Sequence, residues 1–292
     1  MFYSALLFCS LNTVPSIYGN NLRPTNAPRF ICGTDETREA KCCQQDEARA
    51  YEAAQAVVRL RIRNARCTGW FVGDQGHLLT NWHCVSNATV AATVFVEAGA
   101  EGQTCGTNCR TWDGCPGTIV NANPVEFIAT GGNLLNDFTL LRLAPSDRPK
   151  AVPFGFLQLR PFEDNLVRGE RIYMPQHPGA WGKRISMLDG NKFATIVEKQ
   201  GSRECGGGMT YRLDDNRGSS GSPVIGYSDH FVVGINKCGG CDEHLDYNTG
   251  VPVERILEHL EDHLPASAIG IPESAASTVD DITDIIGEGL FG

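Results

Sequence analysis

Residues 214–224 read DDNRGSSGSPV: two acids, then three serines within four positions, interleaved with glycines and followed by proline. A glycine- and serine-rich run is an ordinary flexible loop. A serine held between glycines on a tight turn can instead stand exposed, with backbone N–H groups pointing at an oxyanion. The choice turns on the rest of the chain, because a serine nucleophile needs a base and that base needs an orienting carboxylate.

Two short stretches offer both. Residues 78–84, LLTNWHC, carry a strand-like run into His83 beside Cys84. A disulfide from Cys67 to Cys84 would close the hairpin-like unit that begins at residues 67–72, CTGWFV, and would fix His83. Residues 136–143, NDFTLLRL, place Asp137 at the mouth of an apolar strand. Taken singly, each has a plain reading: a histidine beside a structural cysteine, an aspartate capping a strand, a loop rich in serine. Taken together they give His83, Asp137 and Ser220 in that order, 54 and 83 residues apart, each in its own motif.

The sequence around them is that of an all-β protein. Val58, Leu60 and Ile62 alternate with Arg59, Arg61 and Arg63, the period-two pattern of a half-buried strand. Short β-rich runs recur at 69–72, 77–80, 92–96, 138–143 and 232–235, without intervening helices, which predicts an antiparallel barrel or sandwich. One late segment is helical in pattern: in 253–264, Ile256, Leu257, Leu260 and Leu264 form an apolar stripe preceded by Pro252.

TNWHC, NDFTLLRL and GSSGSPV resemble the three catalytic motifs of the chymotrypsin-fold (trypsin-like) serine endopeptidases. The likeness leans toward the lysyl- and glutamyl-endopeptidase branch, through GSSGSP, Cys67-Thr68-Gly69, His177-Pro178 followed by Lys183-Arg184-Ile185-Ser186, and Gly206-Gly207-Gly208. It spans residues 30–265, strong at the three motifs and patchy between them. The resemblance implies two antiparallel six-stranded β-barrels with the active site between them and a C-terminal helix. It makes Ser220 the nucleophile, His83 the general base, Asp137 its orienting acid, and the N–H groups of Gly218 and Ser220 the oxyanion hole. It also implies that Cys241 bridges to the N-terminal extension and that another extension cysteine reaches Cys105. Trypsins carry an aspartate where Ser219 stands, and no Arg-Ile-Val-Gly-Gly precedes Cys67, so trypsinogen-type activation is not expected.

Specificity stays open at this level. A basic P1 side chain (the residue before the cleaved bond) needs an acid in its pocket. The resemblance offers two: Asp214, six residues before Ser220 as in trypsins, and Asp246 before Tyr247-Asn248-Thr249-Gly250-Val251, which resembles the pocket acid of the lysyl branch, so it implies cleavage after Lys or Arg. Asn236 stands where the glutamyl branch has its acid-binding histidine, although Lys237 keeps a glutamate preference open. A noncatalytic homologue that binds a partner through the same fold is the other alternative.

Composition sets outer bounds. The 292 residues, 41% hydrophobic and 20% charged, suffice for a sizeable core, and a net charge of −9 without a basic stripe argues against nucleic-acid binding. Twelve cysteines at irregular spacing suit a secreted disulfide framework better than metal sites. Cys238-Gly-Gly-Cys241 is accordingly expected to hold disulfide partners rather than zinc, and no metal or cofactor is expected. The apolar run 2–11 suggests a signal peptide over 1–19, followed by an extension or propeptide over 20–50, the protease domain over 51–265 and an acidic flexible tail over 266–292. No other run is long enough to cross a membrane. Asn87-Ala88-Thr89 is a glycosylation sequon. The expected partners are protein or peptide substrates, met by a secreted monomer.

Overall fold

In the computed structural model, residues 30–162, 166–202, 206–241 and 246–271 are described. The expected signal segment, Cys9, Cys205 and most of the acidic tail lie outside the described residues.

Among the described residues, two large antiparallel sheets and a small one, Leu188–Asp189 paired with Lys192–Phe193, build the protein. The first orders its seven strands as Thr118–Ile119, Val94–Ala98, Val57–Ile62, Ala65–Val72, His77–Thr80, Thr139–Arg142 and Glu126–Thr130. The second runs Arg38–Glu39, Arg184–Ser186, Ile172–Gln176, Pro223–Gly226, Val232–Cys238, Asn248–Pro252, Gly208–Tyr211 and Ile196–Ser202. The expected count of six strands each becomes seven and eight. Two-residue strands extend the sheet edges, and one of them, Arg38–Glu39, comes from the N-terminal extension to pair with Arg184–Ser186.

Each large sheet encloses its own apolar cluster, with Leu60, Phe71, Leu78 and Leu141 in the first and Met174, Met209, Tyr211 and Val224 in the second. A third cluster joins the two, taking Trp70, Leu79 and Leu140 from one side and Tyr173, Ile225 and Val251 from the other. Helix Val253–Leu260 seats Val253, Ile256, Leu257 and Leu260 on this seam; of the stripe read from the sequence, Leu264 lies beyond the helix end and packs on the same cluster partly buried.

The extension is more than a turn-rich lead-in. Helix Ala48–Gln55 crosses the boundary expected at residue 50, and Ala40, Cys43, Ala50 and Ala54 enter the shared cluster. Small residues spaced for close approach, rather than a bold apolar stripe, make this helix hard to see in sequence. Cys32–Cys241 ties the extension to the second sheet side and Cys42–Cys105 to the first, while Cys109–Cys115 staples a local loop. Cys238 is also disulfide-bonded. Among the described residues, Cys43 is the free thiol; burial pushes it up to about 11, so it stays protonated and inert.

Arg59 departs from the half-buried pattern. Its strand neighbours Val58 and Leu60 face the first core as expected, yet the arginine itself is fully buried. Its guanidinium meets Glu97 at 2.9 and 3.0 Å and donates to the carbonyls of Gly114, Ala180 and Trp181 at 3.0–3.1 Å. One side chain thereby holds the loop around Gly114 and the 180–181 turn to the first sheet. Arg59→Met would leave Glu97 buried without its counter-charge and should lower unfolding stability by about 3–5 kcal/mol in a urea titration.

A second stability prediction concerns His77, which is buried at the start of its strand. Burial first, then the nearby Arg142 and Arg148, push its pKa down to about 4 from a value near 6.5 in an unfolded chain. The folded state therefore binds fewer protons between those values. Its stability contribution is full above about pH 6.5 and fades as pH falls through about pH 4, on the order of 2 kcal/mol in all. Urea midpoints at about pH 7 and pH 4.5 should show this fall, and His77→Gln should flatten it.

Candidate active site

His83 and Asp137 meet because their strands do. His77–Thr80 pairs with Thr139–Arg142, Thr80 opposite Thr139, so the residues just beyond one strand face those just before the other. Nδ1 of His83 lies 2.6 Å from Oδ2 of Asp137, and the His83 backbone N–H donates to Oδ1 of the same carboxylate at 3.0 Å. Asn81 adds a third tie, its Nδ2 donating to the Asp137 carbonyl at 2.6 Å. Asp137 is buried, while His83 keeps part of its surface open.

The serine turn is carried by the second sheet and docked onto the first. It runs directly into strand Pro223–Gly226. The Thr68 N–H donates to the Ser220 carbonyl at 2.9 Å, and the Thr68 hydroxyl to the Gly218 carbonyl at 2.8 Å. The preceding residue, Cys67, is bonded to Cys84, the neighbour of His83. One dipeptide, Cys67-Thr68, thus grips the histidine segment with its sulfur and the serine turn with its backbone and hydroxyl.

The three serines differ in what surrounds them. Ser219 is buried, its hydroxyl donating to Oε1 of Gln176 and accepting from the Asn216 N–H. Ser222 is buried and donates to the Ser219 carbonyl at 2.6 Å. Ser220 lies between them partly exposed. Gly218 and Gly221 take φ values of +96° and +89°, a region that suits glycine. A Cβ on Gly221 would come within 2.2 Å of the Thr68 carbonyl, so the turn can press against the first sheet only without a side chain there.

The acids expected near the substrate are engaged elsewhere. Asp214 accepts backbone N–H bonds from Cys32 and Glu36, each at 2.8 Å, and so anchors the extension. Burial raises it to about 6, against the pull of those two N–H groups. Asp246 is exposed and paired with Arg212. Asn87 is exposed and caps helix Ala88–Ala91, its Oδ1 accepting from the Val90 N–H at 3.1 Å. Sequence reading gave Thr68 and Asn81 no role of their own and weighed Asn236 only against the histidine of the glutamyl branch; all three organise the site by hydrogen bonds to residues far along the chain. Among the described residues, no cluster of three or more His, Cys, Asp or Glu side chains suits a metal.

A model of the trypsin-like peptidase domain matches residues 67–235, more than half of the chain. The chain belongs to this family. It is 36% identical over 244 residues to "Secreted RxLR effector protein 73" of Plasmopara viticola, covering 82% of the present chain and 57% of that one. It is 29% identical over 197 residues to an uncharacterized protein of Sinorhizobium fredii, covering 66% of this chain and 26% of that one. The chain thus spans about half or less of the length of these curated relatives. A solved Glu endopeptidase aligns over 77% of this chain and 93% of its own, with a TM-score of 0.52 at 16% identity, a likeness of fold alone. Among the described residues, no helix is long and apolar enough to cross a membrane.

Proposed function

We propose that the protein is a secreted serine endopeptidase that cleaves peptide bonds through Ser220, His83 and Asp137, after Lys or Arg. The observation that carries the reading is the docking of the partly exposed Ser220 through Thr68, while the bonded neighbour of Thr68 fixes the segment of a histidine already paired with a buried aspartate. In the proposed cycle His83 takes the proton of the Ser220 hydroxyl as its oxygen attacks the scissile carbonyl. Asp137 holds the imidazole with its proton on Nδ1 and stabilises the imidazolium that forms. The N–H groups of Gly218 and Ser220 receive the developing oxyanion. His83 then returns the proton to the leaving amine, and water, activated the same way, releases the acyl group from Ser220.

The disulfides and the secreted relative support an extracellular setting, in which the Asn87 sequon would be open to glycosylation. The test is labelling by a neutral fluorophosphonate, which bonds covalently to an activated serine. Labelling of the wild type that is lost in Ser220→Ala supports the peptidase. A folded wild type that never labels supports instead a noncatalytic binding protein, a reading to which the effector relative lends weight.

The oxyanion site gives a further prediction. A Cβ at Gly218 would sit 2.7 Å from the His177 carbonyl and 3.1 Å from the Ala180 nitrogen, on backbone already at positive φ. Gly218→Ala should displace the turn and lower kcat by roughly 100- to 1,000-fold, with an unchanged circular dichroism spectrum. Peptide anilide hydrolysis measures it.

A further inference from the structure

Three aspartates compete for the substrate's side chain, and the fold treats them differently. Asp214 spends both oxygens on the backbone of the extension. Asp246 stands in solvent beside Arg212. Asp215, overlooked between them, is 2% exposed. Its Oδ2 accepts from Nδ2 of Asn236 at 3.1 Å, and its Oδ1 is buried with no hydrogen-bond partner. Its charged neighbour is Asp214, of like sign, and burial together with that neighbour pushes its pKa well up. A carboxylate so placed lacks a cation.

The position is next to the proposed nucleophile. The Asn236 amide that holds Asp215 also donates to the Ser219 carbonyl at 3.2 Å. The Asn236 carbonyl accepts from the Gly221 N–H at 2.9 Å, and its N–H donates to the Ser222 carbonyl at 2.8 Å. The neighbours of Ser220 on either side are therefore bonded to the residue that orients Asp215. The amide itself cannot turn over freely, because the buried Tyr211 hydroxyl donates to its Oδ1 at 2.7 Å and leaves Nδ2 facing the acid. Backbone contacts to the extension hold the acid's own main chain, through the Asp215 N–H and the Phe30 carbonyl at 3.1 Å.

We propose that Asp215 is the specificity residue: its unpartnered Oδ1 forms the ion pair with the Lys or Arg side chain at P1, while Asn236 and Tyr211 hold the carboxylate in place. This rests on the serine-peptidase reading and names the group that selects its substrates. A purely structural Asp215 would affect all substrates alike, whereas a specificity residue changes the ratio between them.

The test compares kcat/KM on peptide anilides carrying Lys, Arg, Glu or Ala at P1, for the full-length wild type and for Asp215→Asn, Asp214→Asn and Asp246→Asn. The wild type should favour Lys or Arg over Ala, and Asp215→Asn should shrink that ratio by about 100-fold or more. Asp214→Asn and Asp246→Asn should keep it. A ratio retained in Asp215→Asn, or lost in either of the others instead, overturns the assignment. So does a wild type that labels with the neutral fluorophosphonate yet shows no preference for a cationic P1 residue. A wild type that neither labels nor cleaves overturns the peptidase reading itself. Should Asp215→Asn fail to fold, benzamidine, a small planar cation, decides on the wild type alone: it should slow fluorophosphonate labelling, and an unchanged rate overturns the proposal.

Discussion

Ser220→Ala should lower kcat for peptide hydrolysis by about a million-fold and abolish fluorophosphonate labelling, leaving the fold intact. The size follows from the way a nucleophile and its base act as one unit: without the hydroxyl oxygen there is no acyl-enzyme, and His83 has nothing to deprotonate. His83→Ala should therefore cost about as much, and the double variant little more than either single one. The neighbouring serines supply the control that gives the result its meaning. Ser219 and Ser222 are buried and bonded to Gln176 and to the Ser219 carbonyl, respectively. Ser219→Ala and Ser222→Ala should each lower unfolding stability by about 1 kcal/mol and still label. Loss of labelling in Ser222→Ala together with its retention in Ser220→Ala would move the nucleophile. Only Ser220 of the three is both partly exposed and tied by its backbone to Thr68, so that outcome would contradict the geometry as well as the motif.

Asp137→Asn should lower kcat by about 10,000-fold with little change in stability, and the reason is a tautomer. The carboxylate accepts two bonds from one residue, the His83 backbone N–H at Oδ1 and ring Nδ1 at Oδ2. An asparagine must turn its single carbonyl oxygen to the backbone N–H, because two donors cannot face each other. Its NH2 group then points at Nδ1, which has to become an acceptor, and the ring proton moves to Nε2. The imidazole can no longer take the Ser220 proton. Fluorophosphonate labelling rates should fall in parallel with kcat. Rates equal to those of the wild type would show that Asp137 merely packs against the histidine.

The candidate triad was legible because each member sits beside a strand whose own pattern is local. Two antiparallel strands, 77–80 and 139–142, carry His83 and Asp137 to one sheet end by their pairing alone, and short apolar β-rich runs announce both strands. The serine turn announces itself by glycines that only positive φ or close approach requires. The extension was not legible in the same way. Its helix buries alanines, which carry little hydrophobic signal, and its anchorage depends on partners about 180 residues away, such as the Asp214 bonds to Cys32 and Glu36.

By itself, the sequence determined the all-β class, which follows from short-range periodicity, and it singled out His83, Asp137 and Ser220 as the candidates for base, orienting acid and nucleophile through three motifs and their family resemblance. The tertiary structure alone decided which charged groups are free to act. Asp214, Asp215 and Asp246 are the same residue type in similar polar stretches. One is capped by backbone from the far N-terminus, one is exposed and paired with an arginine, and one is buried with an oxygen unpartnered. Arg59 looked like a strand's solvent face and lies wholly inside. Burial and hydrogen bonding between distant segments set the cost of a charge, and no local pattern encodes them.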